Sequence, residues 1–289
     1  MPSPPHLVDL HTHSRFSDGA DSPDELARAA RQAGLVALGL ADHDTLDGVA
    51  ETAAAAARRG LLFVPGIEIS TSIDLGRPQR TAVHLLAYLA DLTSPELAAA
   101  LQTHARDRVR RVEAMVGRLR ALGVPVDLGH VLAAGEEGSV GRPHIAKELV
   151  RLGYAEDTGD AFRRWLGRGC PAYVPRPPVE TVETVGLVRR AGGVPVLAHP
   201  DEVGEALADL LAVLVPAGLV GMEAAYGPDA PETRERLRRL AERHGLIVTG
   251  GSDYHGLTVK AANPIGMGLV SPQALADLVA AAAAVRAAG

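Results

Sequence analysis

Aromatic residues make up only 3% of this 289-residue chain. Ala, Leu and Val must therefore fill its core, and a 47% hydrophobic content allows a sizeable one. A single cysteine, Cys170, excludes an intramolecular disulfide, suits a reducing compartment and reads as structural. Positive charge is not in excess: 29 Lys plus Arg against 35 Asp plus Glu gives −6. That excludes a general polyanion binder, with duplex DNA as partner, and leaves nucleic-acid contact to a local patch. No apolar run reads as a membrane span, because the Ala-rich stretches carry charges and helical periodicity. The opening Met1-Pro2-Ser3-Pro4-Pro5 lacks the basic and apolar regions of a signal peptide, so a cytoplasmic location is expected. Neither a Gly-x-Ser-x-Gly elbow nor a phosphate-cradling Gly-rich loop occurs.

What is present is an alternation of strand-like and helix-like segments. Strands are expected at 7–10, 35–40, 61–64, 194–198, 219–223, 246–248 and 267–270. Helices are expected near 23–33, 48–59, 181–191, 204–215 and 231–244, with a terminal one from Ser271-Pro272. Ser22, Pro23 and Glu25 form a capping-box start and Gly34 a stop. Alternation of this kind predicts an α/β fold with a parallel sheet. The stretch 94–170 breaks the pattern with helices alone: a long one from Ser94 to Leu122, one after Gly141-Arg142-Pro143-His144, and one near 158–166. The expected organisation is a barrel formed by 1–93 and 171–289, with 94–170 as an all-helical insertion lying over the site as a lid.

Candidate metal ligands crowd the strand ends. They are His11, His13, Asp18, His43, Glu68, His84, His199, Asp253 and His255. His11 and His13 share one side of an extended chain, because successive side chains alternate. Glu68 follows a Pro-Gly kink, and a carboxylate can bridge two ions. Nine candidates exceed the needs of one ion, so two or three divalent ions sharing ligands fit better. Imidazole plus carboxylate favours Mn, Fe or Zn over Ca or Mg. Ligands gathered at strand ends favour a closed barrel, whose active sites lie at that face. His104 and His244, on helices, read as surface residues, as do His6 and His130.

The motifs His11-Thr12-His13-Ser14 with Ser17-Asp18-Gly19, Asp42-His43-Asp44-Thr45, Gly66-Ile67-Glu68-Ile69-Ser70, Val83-His84-Leu85-Leu86, Ala198-His199-Pro200 and Gly251-Ser252-Asp253-Tyr254-His255 run nearly end to end. Together they resemble the PHP family, the polymerase and histidinol phosphatase domains of the amidohydrolase-like superfamily. The resemblance implies a distorted (β/α)7 barrel with a trinuclear site, Mn being the favoured metal. It assigns His11, His13, Glu68 and Asp253 to one ion, Glu68, His84 and His199 to a second, and Asp18, His43 and His255 to a third. The helical insertion with Gly141-Arg142-Pro143-His144-Ile145-Ala146, then Ala161-Phe162 and Pro171-Ala172-Tyr173-Val174-Pro175, is similar to the nucleotide-acting subgroup. That subgroup comprises 3′,5′-nucleotide bisphosphate phosphatases and 5′→3′ exoribonucleases that trim short RNA.

Arg142 and His144 stand at a helix start, where free N–H groups and the dipole attract anions. They are either phosphate ligands or an ordinary solvated helix end. Ser70, two residues beyond Glu68 on the same strand face, is a further candidate for a phosphate contact, and Tyr173 either stacks on a base or packs. The arginines at 106, 108, 110, 111, 118 and 120 form a solvated face or, less readily, an oligonucleotide track. The expected activity is metal-dependent hydrolysis of a phosphoester: the 3′-phosphate of a nucleoside 3′,5′-bisphosphate, the 5′ end of short 5′-phosphorylated RNA, or both. Asp253, His255 and His199 are the candidates for moving protons. Histidinol-phosphate hydrolysis is one alternative, and a non-catalytic metal-binding or polymerase-accessory module is another.

Overall fold

The structure, a computed structural model, describes residues 7–135 and 138–288. His6 and the opening segment lie outside them. Seven strands form one sheet in the order of the chain. They are β1 (Leu7–Asp9), β2 (Leu35–Leu40), β3 (Leu62–Ile73), β4 (Thr81–Tyr88), β5 (Val194–Leu197), β6 (Gly221–Tyr226) and β7 (Ile247–Gly251). Beyond β1 the chain returns to the other edge. Leu10 N donates to Gly250 O (3.3 Å), Asp253 N to His11 O (2.8 Å) and His13 N to Tyr254 O (2.8 Å). The result is a nearly closed, distorted (β/α)7 barrel.

The sheet is not wholly parallel, which corrects the expectation. β4 runs antiparallel to both β3 and β5. The connection 74–80 is too short for the helical crossover that parallel strands need. β3 also extends nine residues past the expected end at Val64, to Ile73. A second correction concerns 267–270, which forms no strand: Val270 makes one isolated antiparallel bridge to Val8.

Helices clothe the barrel. α1 (Pro23–Gln32) starts with the expected Ser22–Glu25 capping box, and α2 is Val49–Arg58. Their Leu26, Ala30, Val49 and Ala56 pack with Leu38 and Leu40 of β2. Between β4 and β5 lie α3 (Pro95–Ala121), the short α4 (Leu128–Ala133), which the sequence reading missed, α5 (Arg142–Arg151) and α6 (Thr158–Ala161). A π-turn at Phe162–Leu166 continues α6. These elements have their own apolar cluster, including Met115, Leu119, Val131, Ile145, Leu149 and Leu166. α7 (Thr181–Arg190) then leads back to the barrel. A 3₁₀ turn at Pro200–Ala206 precedes α8 (Leu207–Leu214), and α9 (Pro231–Arg243) and α10 (Pro272–Ala288) complete the set. Leu210, Leu211, Leu214 and Leu237 bury against Met222 of β6. Among the described residues, no helix is long and apolar enough to cross a membrane.

Candidate metal centre and adjoining cavity

The nine candidate ligands come to one mouth of the barrel. His11 and His13, both fully buried, point the same way, with Nε2 atoms 3.1 Å apart. Glu68 Oε2 lies 3.3 Å from His11 Nε2 and 3.2 Å from His13 Nε2. Asp253 Oδ1 lies 3.3 Å from His13 Nε2 and 3.6 Å from His11 Nε2. These four form one ligand group. Glu68 Oε1 faces the other way, 2.7 Å from His84 Nδ1 and 2.9 Å from His199 Nε2. His43 Nδ1 is 3.3 Å from Glu68 Oε2, so His43, Glu68 and His84 form a second group. The third contains His13, Asp18, His43 and His255, with His255 Nε2 3.2 Å from Asp18 Oδ1. β4 supplies His84 from its first half, in register with Ser70. Because β4 runs backward, that half faces the mouth.

The donor set fits divalent ions. His11 Nδ1 is occupied by Glu223 Oε1 at 3.0 Å. Donation there leaves Nε2 with a lone pair, aimed at His13 Nε2 and two carboxylate oxygens. Acceptors so close in a dry site repel unless a cation lies among them. Metal bonds of about 2.0–2.2 Å are compatible with ligand atoms slightly more than 3 Å apart. His13 Nδ1 and His43 Nδ1 are also buried without a hydrogen bond. Burial alone would lower the His13 ring, but hydrogen bonds to Asp253 and Glu68 push it up to about 9. His199 is likewise held up, at about 10, by Glu202 and Glu68 against its burial. Burial would raise Glu68, yet His43, His84 and His11 hold it well below the usual carboxylate range.

A layer of supporting residues escaped the sequence reading. Glu223 also accepts the His199 backbone N–H at 2.8 Å, which fixes His199 at φ 26°. Asp42 accepts Ser14 N (2.8 Å), Ser14 Oγ (2.6 Å) and Ser17 Oγ (2.6 Å), setting the turn between His13 and Asp18. Tyr226 OH donates to Asp253 Oδ2 at 2.7 Å, and Lys260 Nζ pairs with the same oxygen. Carboxylates that close predicted strands were the available signal for Glu223; nothing local marks Lys260.

Asp18, His43 and His84 also border a cavity of about 730 Å³ between the barrel and the helical segment. Its walls include Ser70, Arg108, Arg111, Arg142, Arg176 and Tyr173. Arg142 and Ser70 thus share the cavity that Asp18, His43 and His84 border. Arg142 lies over the Phe162 ring at 5.2 Å, and Arg111 over Tyr173 at 5.7 Å. Burial, together with Arg142, Arg176 and Arg108, pushes Arg111 down to about 10. His144 is buried, its Nδ1 accepting the Gly141 N–H at 3.1 Å, and it is not among the cavity-lining residues. The arginines of α3 divide. Arg108 and Arg111 face the cavity, whereas Arg110 is 76% exposed beside Asp107. His104 is a correction: it is buried, with Nδ1 3.6 Å from Asp44, because it shares the inward stripe of α3 with Arg108. His244 and His130 are exposed, as expected.

Residues 9–123 match the PHP domain family. The chain is 36% identical to a 3′,5′-nucleoside bisphosphate phosphatase of Chromobacterium violaceum, over 86% of this chain and 87% of that one. It is 34% identical to a 5′-3′ exoribonuclease of Haemophilus influenzae, over 86% and 89%. The crystal structure of a candidate metal-dependent phosphoesterase from Bifidobacterium adolescentis superposes with a TM-score of 0.87 at 35% identity, covering 96% and 97% of the two chains. Ligand motifs, barrel and relatives agree, and the chain belongs to the PHP domain family.

Proposed function

We propose that this protein is a metal-dependent phosphoesterase that removes the 3′-phosphate of nucleoside 3′,5′-bisphosphates and trims short 5′-phosphorylated RNA from its 5′ end. One observation carries the reading. A cluster of metal ligands and a wall of arginines share a single cavity, so one phosphate can react while a second is held. The names of the relatives support the substrate class.

His11, His13, Glu68 and Asp253 would hold one ion, Glu68, His84 and His199 a second, and Asp18, His43 and His255 a third. This imidazole and carboxylate set suits Mn, Fe or Zn, and Mn is the first choice among them. Such ions supply a nucleophile from water at neutral pH and neutralise charge on the phosphoryl oxygens. Arg108, Arg142, Arg176 and Ser70 would bind the phosphate that is not cleaved, Arg through paired N–H donors. Tyr173 and Phe162 offer ring faces to a base. Asp253, His255 and His199 would be the groups that move protons. His199 Nδ1 lies 3.2 Å from Glu202, which is 63% exposed and gives that ring a route to solvent. Helices α3 to α6 act as the lid of the site and exclude water from it. A reducing, cytoplasmic setting suits the free Cys170.

The test is a hydrolysis screen with Mn²⁺ on adenosine 3′,5′-bisphosphate, 5′-phosphorylated short RNA and histidinol phosphate. The bisphosphate and the RNA should be hydrolysed with much higher kcat/KM. Preference for histidinol phosphate would overturn the assignment.

A further inference from the structure

Six arginines line the cavity, among them Arg108, Arg111, Arg142 and Arg176, whose guanidinium groups are the more deeply buried ones beside the ligand cluster. Like charges this close repel, the more so where water is sparse. Among the described residues, neither Arg111 nor Arg142 has a carboxylate partner. Arg108 and Arg176 share one, and it is Asp44. Asp44 Oδ2 accepts from Arg108 Nε at 2.7 Å and from Arg176 Nη2 at 2.9 Å. Asp44 Oδ1 accepts the Ser70 N–H at 3.0 Å, and Arg108 Nη2 donates to Ser70 Oγ at 3.1 Å. The carboxylate has no solvent exposure, and its backbone lies in the left-handed region at φ 54°. Asp tolerates that conformation better than most residues, and strained backbone of this kind gathers at functional sites. Arg176 Nε is buried without a hydrogen bond, so the group is not fully satisfied by the protein.

We propose that Asp44 is a positioning residue: it fixes Arg108 on α3 and Arg176 on the 171–180 segment in one orientation, and so builds the subsite for the phosphate that is not cleaved. The inference rests on the nucleotide reading above and deepens it. Asp44 touches no substrate. It keeps one cation from the helical segment and one from the stretch that follows it beside the barrel, with donors left over for an anion. Arg and Lys differ here, because only the planar fork reaches Asp44 and Ser70 together.

Adenosine 5′-monophosphate is the probe, titrated by calorimetry into chelator-treated protein so that no metal contributes. Wild-type protein should bind it, and Asp44→Asn, which keeps the shape and the left-handed preference, should bind at least tenfold more weakly. Equal or tighter binding by a folded Asp44→Asn protein overturns the proposal and leaves the nucleotide reading standing. Should Asp44→Asn not fold, Arg108→Lys decides: charge is retained, so an unchanged affinity overturns positioning and a tenfold loss supports it. Wild-type protein that neither binds the monophosphate nor hydrolyses the bisphosphate removes the nucleotide reading, and this inference with it.

Discussion

Glu68 is the residue on which the centre turns, since each of its oxygens faces a different set of imidazoles. Glu223 lies outside the three candidate ligand groups but hydrogen-bonds His11 and the His199 backbone, and so orients two candidate ligands. Loss of such an outer partner typically costs about 10–100-fold in metal affinity. Glu223→Gln should lose about that much in Mn²⁺ titrations, and Glu68→Gln should lose more, together with turnover. Proton linkage supplies a second expectation. In metal-free protein, His13 and His199 titrate near 9 and 10 against an ordinary 6.5. Groups raised on folding stabilise fully below their unfolded value, and that contribution fades as pH rises through the folded one. The melting temperature of chelated protein should therefore fall between about pH 6.5 and 10. Metal must displace those protons, so Mn²⁺ added at pH 7 in weak buffer should acidify the solution. A flat chelated profile and no proton release would contradict this account.

At the scale of elements, the informative pieces are those that reverse or cross. β3 and β4 form a long hairpin, so His84 reaches the mouth from the start of its strand rather than the end. Neither β4 nor the far half of β3 was among the expected strands, so the short connection 74–80 and its consequence for direction emerged only in the structure. α3 carries its outer and inner arginines on one basic sequence, and spacing alone does not say which side meets the barrel. His104, Arg108 and Arg111 turned inward because the helix packs over the cavity. Arg142, at the start of α5, should affect substrates by their number of phosphates. Arg142→Ala should raise KM for adenosine 3′,5′-bisphosphate by tenfold or more, and for an aryl phosphate far less. Equal losses on both would place Arg142 outside the second-phosphate subsite.

At the scale of the whole molecule, closure of the barrel brings β1 and the segment after it against β7, the first and last strands of the sheet. Gly251 lies so close to the segment that follows β1 that an added Cβ would clash with His11. Gly251→Ala should push His11 off its position, so bound Mn²⁺ measured by metal analysis should drop and the melting temperature fall. Unchanged metal content would mean that closure does not position the centre. The sequence by itself determined the types of the candidate ligands, the placement of His11, His43, His199 and Asp253 just beyond strand ends, the capping of α1 and α3 and the strand-free helical stretch 94–170. These are local matters of periodicity, capping and chemistry. Only the tertiary structure decided that Glu223, Asp42, Asp44, Tyr226 and Lys260 support the site, and which arginines face it. Such contacts join residues far apart in the chain. Their side chains alone do not distinguish a buried partner from a solvated charge until the barrel closes around them.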